Sequence, residues 1–243
     1  MVNLEMNDST QKRTAAVLWT GGKDSCLALH RAYDRGVSIA CLATFVPEDR
    51  REFHAHPTAE TRKQADLMHL DLHFIPVQEP YRDSYIKGLT WLKEQGITAV
   101  ITGDIDYIEG HPNWIEDCCH GLDLEVIRPL WRESRHTLME ELITRGIQAR
   151  ITWINHPSIP PSWKGRVVDV DCLAELKHLS MHAGIDLCGE NGEYHTMVFS
   201  APLFRDLESH RAVKTGCLQS VVSGPVAIGR TDVSFQCPGR ATI

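Results

Sequence analysis

Three helix-like stretches of this chain end in glycine, at Gly36, Gly96 and Gly146, and each is followed at once by an apolar run: VSIACLATF, ITAVITG and IQARITWI. A glycine closing a helix, with a buried strand opening directly after it, is the habit of βα units in a parallel sheet. The pattern predicts strands near 15–19, 37–45, 72–77, 97–102, 124–130 and 147–154, with helices near 24–35, 58–70, 81–95, 112–121 and 134–145. That is an α/β chain with a doubly wound, mostly parallel sheet. Such sheets bind ligands beyond the carboxyl ends of their strands, at the point where strand order reverses. The first and fourth strands end in the polar sequences TGGKDS and TGDID, and the expectation is that they are neighbours at that point.

The first of these runs, Thr20, Gly21, Gly22, Lys23, Asp24 and Ser25, has the chemistry of a phosphate cradle. Two adjacent glycines let the backbone turn sharply and set bare N–H groups against an anion, while the following helix presents its positive end. Lys23 adds a charge and Ser25 a hydroxyl. A plain strand-to-helix turn would also use Gly-Gly, with Asp24 as a cap. The run is not a Walker A loop, which would need glycine at Val17 and a hydroxyl residue at Asp24. It resembles the PP-loop, SGGxDS, of N-type ATP pyrophosphatases, with Thr20 keeping the hydroxyl of the usual serine. Across the crevice, Thr102, Gly103, Asp104 and Asp106 would face the nucleotide, Asp104 as a magnesium or ribose contact or as an ordinary turn residue.

Composition removes several classes. The formal net charge is −7, so an overall electrostatic case for nucleic acid is missing. No apolar stretch reaches membrane-spanning length, and the polar, partly acidic MVNLEMNDSTQKR is unlike a secretory signal, so a cytoplasmic protein with no membrane partner is expected. Eight cysteines without any C-x-x-C do not make a disulfide or zinc scaffold, and the adjacent Cys118 and Cys119 cannot share one helix face. The charged segment between Pro47 and Pro57 suits a loop over the nucleotide, with His54 and His56 read as solvated rather than ligating.

From about residue 158 the pattern changes. Pro160 and Pro161 lead into one helical stretch, VDCLAELKHLSMHAG, and then to Glu190, Asn191, Gly192, Glu193, Tyr194, His195 and Thr196. Asn-Gly between acidic residues is also a common hairpin turn. The apolar MVFSAPLF that follows ties the run to buried structure, as a site requires.

TGGKDS at 20–25, TGDI at 102–105, RPLW at 128–131 and CGENGEYHT to PLF over 188–204 together resemble, in order and spacing, the diphthine–ammonia ligase family of PP-loop ATPases. The resemblance covers roughly 14–205. It implies an adenine nucleotide alpha hydrolase-like, Rossmann-type domain over 14–156 and a small α+β substrate domain over 157–205. It also implies chemistry: ATP adenylates a carboxylate, pyrophosphate leaves, and ammonia displaces AMP. Lys23, Ser25 and the loop N–H groups would then hold the departing pyrophosphate, with Asp24 or Asp104 placing Mg2+. Glu190 and Glu193 would hold ammonium, and one of them or His195 would take its proton. Family members that complete diphthamide resemble EGGEYET in this stretch. Here Asn191 and His195 replace Gly and Glu, closer to the bacterial branch, so the carboxylate substrate stays open between a small molecule and a protein side chain.

Two other readings compete. A PP-loop tRNA modifier would predict a basic groove and paired cysteines, and a non-catalytic ATP-binding sensor would not need Lys23, Asp24 and Ser25 together. The tail at 206–243, with CLQSVVSGPVAIG, is compatible with an edge hairpin, a homodimer contact or a loosely attached end.

Overall fold

The computed structural model describes residues 13–48, 57–107 and 113–206. His54, His56 and the tail segment CLQSVVSGPVAIG lie outside the described residues.

The βα alternation is present in the order expected. β1 (Thr14–Leu18), α1 (Lys23–Asp34), β2 (Ser38–Pro47), α2 (Thr58–Met68), β3 (Asp71–Val77), α3 (Tyr81–Glu94), β4 (Ala99–Ile101), α4 (Trp114–Cys119) and β5 (Glu125–Ile127) form the first part of the chain. The helices ending at Gly36, Gly96 and Gly146 do so for a backbone reason: these residues have φ of +75°, +86° and +72°. Side chains with a Cβ rarely adopt that conformation, so glycine there ends the helix and releases the chain toward the sheet.

The five strands are all parallel, in the order β3-β2-β1-β4-β5. The chain moves outward from β1 to β3, then returns through α3 to place β4 on the other side of β1. Strand order therefore reverses between β1 and β4, the two strands whose polar ends were singled out. Along β1 the side chains alternate between two cores. Ala15 and Val17 pack with Leu27 and Leu29 of α1 and Met68 of α2, while Ala16 packs with Leu89 and Leu92 of α3 and Cys118 of α4. Both faces of β1 are closed to water, which is why the strand reads as an unbroken apolar run.

Residues 147–154 depart from the sequence reading. They were expected as a sixth strand of the parallel sheet, within the unit bounded at 156. Instead β6 (Gln148–Ile154) pairs antiparallel with β7 (Tyr194–Ser200) in a separate two-stranded sheet. Its burial explains the choice: Ala149 and Ile151 are buried while Gln148 and Arg150 are exposed. One solvated face suits an antiparallel ribbon and not the middle of a doubly covered sheet.

α5 (Arg135–Thr144), a 3-10 turn at Pro161–Trp163, α6 (Val170–Ala183) and α7 (Leu203–Asp206) complete the described chain. Leu138 and Leu142 of α5, Leu173 and Leu176 of α6, Ile151 of β6 and Val198 of β7 all join the core on the α1 face. Arg31 of α1 reinforces this seam, donating from Nε to Glu141 Oε2 of α5 at 3.0 Å. The later elements are thus packed directly against the helix that follows the glycine loop. Among the described residues, no helix is long and apolar enough to cross a membrane. Six cysteines there are free and buried, Cys118 and Cys119 among them.

Candidate active site

The glycine loop is held from three sides. Trp19 extends the first strand, donating its N–H to Ala43 O at 2.8 Å and accepting from Thr44 Oγ1 at 2.6 Å. Gly21 has φ +77°, and a Cβ there would meet Gln64 Oε1 at 2.5 Å and Met197 Sδ at 2.8 Å. Glycine is therefore required twice over, by dihedral and by space. Gln64, 3% exposed, donates from Nε2 to Gly21 O at 3.1 Å and Val198 O at 2.6 Å, and accepts from Trp19 Nε1 at 2.9 Å. Val198 N–H also donates to Gly21 O, at 2.9 Å.

The next residues begin α1. Gly22 is its N-cap and brings no side-chain cap, which leaves the positive helix end for an anion. Ser25 Oγ donates to Gly22 O at 3.1 Å, and lies 3.3 Å from Thr20 Oγ1. Gly103, after β4, touches this first turn directly: a Cβ on it would stand 2.7 Å from both Asp24 C and Ser25 N. Thr102 Oγ1 accepts from the Asp104 N–H at 3.0 Å, and Asp104 Oδ2 accepts from Asn113 Nδ2 at 2.6 Å. The two strand ends named in the sequence thus meet, as expected of neighbours at the reversal point.

Lys23 is 2% exposed. Its Nζ donates to Asp24 Oδ1 at 2.9 Å, to Asp24 Oδ2 at 2.7 Å and to the Cys188 carbonyl, and lies 5.5 Å from the Tyr194 ring centre. All three ammonium protons are used. Burial alone would lower its pKa, but the Asp24 carboxylate and its neighbours outweigh that and carry it upward, so the side chain stays charged. The ammonium thus links Asp24 to the turn at Cys188. The Lys23 main-chain N–H is engaged too, donating to Thr196 Oγ1 at 3.1 Å.

That turn, 186–193, is organised by Asp186. Its Oδ1 accepts from the N–H groups of Cys188 at 2.7 Å and Glu190 at 3.4 Å, and its own N–H donates to Glu193 Oε1 at 2.7 Å. Asn191 is exposed and donates from Nδ2 to the same Glu193 oxygen at 3.1 Å. Glu193 is 6% exposed, and its Oε2 is buried without a hydrogen-bond partner. Gly192 N–H donates to Gly189 O at 2.9 Å, so Asn191 and Gly192 belong to a turn leading into β7, whose strand partner is the distant β6.

Glu190 is the residue this turn delivers to the glycine loop. Burial, then the carboxylates of Asp24, Asp104 and Asp186, push its carboxyl up to about 8, with Lys23 opposing. Tyr194 and Thr196 lie on the strand face toward Lys23, Tyr194 Oη donating to Leu187 O at 2.8 Å. His195 alternates with them and so occupies the other face of β7, opposite Trp153 of β6. Of the residues singled out from sequence, the structure brings together Lys23, Asp24, Ser25, Gly103, Asp104, Glu190, Tyr194 and Thr196. It turns Glu193 into the interior of its own turn.

Asp24, in the first turn of α1, and Asp104, beyond the end of β4, are hard oxygen donors, a fit to an ion that uses one or two carboxylates plus phosphate oxygens. Among the described residues, no three His, Cys, Asp or Glu side chains form a metal cage. Sequence reasoning passed over Gln64, Asp186 and Arg135. The first left a trace: Thr61, Gln64, Ala65 and Met68 are the buried stripe of α2, and an amide on an apolar stripe marks a hydrogen-bonding task.

An all-parallel sheet reversing at a glycine loop of this form defines a PP-loop α/β nucleotide-binding protein. Residues 13–126 match the family model for the diphthamide synthase N-terminal domain, and 134–215 that for the C-terminal domain. The chain belongs to the diphthamide synthase family. It is 25% identical over 213 residues to diphthine–ammonia ligase of Danio rerio, covering 77% of this chain and 82% of that one. To the Homo sapiens diphthine–ammonia ligase it is 26% identical, covering 78% of this chain and 80% of the relative. A solved structure described as a predicted subunit of tRNA methyltransferase from Methanocaldococcus jannaschii aligns over 78% of this chain and 98% of its own, at 15% identity and a TM-score of 0.41.

Proposed function

We propose that this protein is an ATP-dependent carboxylate–ammonia ligase. The substrate carboxylate attacks the α phosphorus of ATP, giving an acyl adenylate and pyrophosphate, and ammonia then displaces AMP to form the amide. A carboxylate oxygen is a poor leaving group, and adenylation makes it part of AMP. The loop N–H groups, Thr20 and Ser25 receive the phosphates, Gly103 and Asp104 flank the nucleotide, and Asp24 with Asp104 would hold Mg2+, which neutralises phosphate charge.

The observation that carries this reading is the bonding of Lys23 across from the glycine loop to the Cys188 carbonyl and to Thr196, which sets the turn that carries Glu190 against that loop. A proton acceptor with a pKa near 8 is matched to ammonium, a weak acid, far better than an ordinary carboxylate. Glu190 therefore takes the proton that frees ammonia, Lys23 holds Asp24 in place, and Glu193 shapes the turn while its unpaired Oε2 offers ammonium an acceptor. His195, on the face of β7 away from Lys23, and the exposed Asn191 are assigned to the carboxylate acceptor. The nucleotide unit, read from sequence as 14–156, is better ended before α5, because β6 pairs with β7 in the substrate unit. Six buried free thiols favour a reducing, cytoplasmic setting.

The test is the nucleotide product. Protein with α-labelled ATP, magnesium, ammonium and a metabolite extract yields AMP and pyrophosphate, with an extract component gaining an amide. ADP as the product would overturn the reading.

A further inference from the structure

Between the loop after β4 and the turn before β7 runs a bridge that phosphate binding and proton transfer do not by themselves require. Arg135 opens α5, with Nη1 3.2 Å from Asp106 Oδ2 and Nε 3.1 Å from Asp186 Oδ2. Asp106 lies two positions beyond Asp104, on the nucleotide side. Asp186 is the residue whose other oxygen holds the N–H groups of Cys188 and Glu190. The Arg135 carbonyl also accepts from the Cys188 thiol at 3.6 Å. One residue therefore grips the turn at two points and the nucleotide-side loop at a third.

Helix stability does not account for an arginine here. The first residue of a helix meets the positive end of its dipole, where a cation is unfavourable. Ser134 already caps α5 through the Thr137 N–H. What the position offers is reach and direction: a planar fork holds its donors at fixed angles, so Nε and Nη1 engage two carboxylates on different sides at once. The side chains of Arg135 and Asp186 are only 25% and 14% exposed, which spares the pair much of the solvent screening that weakens surface ion pairs. Because Asp186 fixes the Glu190 backbone, the place of the Glu190 carboxyl depends on where Arg135 holds Asp186.

We propose that Arg135 is a positioning residue that couples the nucleotide-side loop at Asp106 to the turn carrying Glu190, so that ammonia is released only where the adenylate has formed. The catalytic consequence rests on the ligase reading; the structural coupling does not. With the bridge broken, water attacks the adenylate in place of ammonia, returning the free carboxylate and AMP.

The test uses the full chain with Arg135→Gln and Arg135→Lys, and Arg82→Ala as a control that breaks an exposed ion pair to Asp117. Amide hydrogen exchange is read with and without α,β-methylene-ATP, and retained protection at Ala15 to Val17 certifies folding. In Arg135→Gln, exchange at the Cys188 and Glu190 N–H groups rises about tenfold even without nucleotide. The slowing that the analogue produces across 186–193 disappears while that at 20–25 remains. In turnover, AMP released per amide formed rises roughly tenfold or more, and the ammonium KM rises while the ATP KM holds. Arg135→Lys lies between, and Arg82→Ala matches the wild type. Exchange over 186–193 that is unchanged in Arg135→Gln overturns the proposal, as does a loss of rate with the AMP-to-amide ratio intact. A wild type that makes no AMP overturns the ligase reading instead, and the exchange measurement without nucleotide still judges Arg135.

Discussion

The side-chain ammonium of Lys23 donates to the main-chain carbonyl of Cys188, a residue 165 positions further along the chain. The same lysine neutralises Asp24 beside it, and its backbone N–H reaches Thr196 at 3.1 Å. Two motifs far apart in sequence are thereby locked into one site, and the lock is electrostatic as well as geometric. A buried cation with all its protons satisfied is tolerable; either partner left alone is not.

Lys23→Met keeps most of the side-chain volume but strands the Asp24 carboxylate and the Cys188 carbonyl. The loss of stability is expected at about 3 kcal/mol, the lower part of the range for breaking a buried pair, because Asp24 is partly solvated. Urea unfolding reads it directly. AMP formation falls with it, and a midpoint equal to the wild type would show that the lock carries no weight.

Glu190 makes two pH signatures. Its folded-state pKa of about 8 stands above the ordinary 4.5 of a glutamate, so ionisation opposes folding. The stability due to the neutral form is fully present below pH 4.5 and is lost as pH rises through 8. Glu190→Gln should therefore melt several degrees higher than the wild type above pH 8 and converge with it near 4.5. As acceptor of the proton of bound ammonium, ionised Glu190 makes amide formation per ammonium ion rise through the same pH 8. Glu190→Gln removes that rise and costs roughly 100-fold in rate.

Gly103→Ala drives a methyl to within 2.7 Å of the Asp24 and Ser25 backbone. Neither side is a flexible side chain, so the strand end and the helix start must part. A destabilisation of about 2 kcal/mol is expected, in the range for overpacking. ATP-analogue affinity, measured by calorimetry, should fall further than that of Gly36→Ala, whose Cβ meets nothing within 4 Å and which tests the backbone strain alone.

Gln64→Leu fits the apolar stripe of α2 but leaves Gly21 O, Val198 O and Trp19 Nε1 without this amide. Its cost is about 2 kcal/mol, the penalty of unpaired buried polar groups. Gln64→Glu separates shape from charge: it retains an acceptor for Trp19 but loses the donor to Gly21. Weakened nucleotide binding in both variants, with unaltered circular dichroism, would confirm that Gln64 shapes the loop.

Order and type of nearly every element were legible in the sequence, because β1 to β5 alternate with helices closed at Gly36 and Gly96, and local periodicity reports burial. So was the glycine loop, whose glycines and hydroxyls bond within a few residues of one another. The sharing of a crevice by the ends of β1 and β4 also followed, from the rule that polar strand ends gather where order reverses. The strand at 148–154 was legible as a strand but was assigned to the wrong sheet, though the alternation of Gln148, Ala149, Arg150 and Ile151 already carried a one-sided pattern.

Tertiary structure alone decided the rest. That Lys23 reaches Cys188 and Thr196, and that Arg135 spans Asp106 and Asp186, depends on bonds between residues 29 to 173 positions apart, to which no local periodicity responds. Sequence determined which short segments could turn, bury or hold an anion, since those properties belong to neighbouring residues. Packing determined which charges meet, because the low-dielectric interior rewards only the pairings the fold brings within a few ångströms.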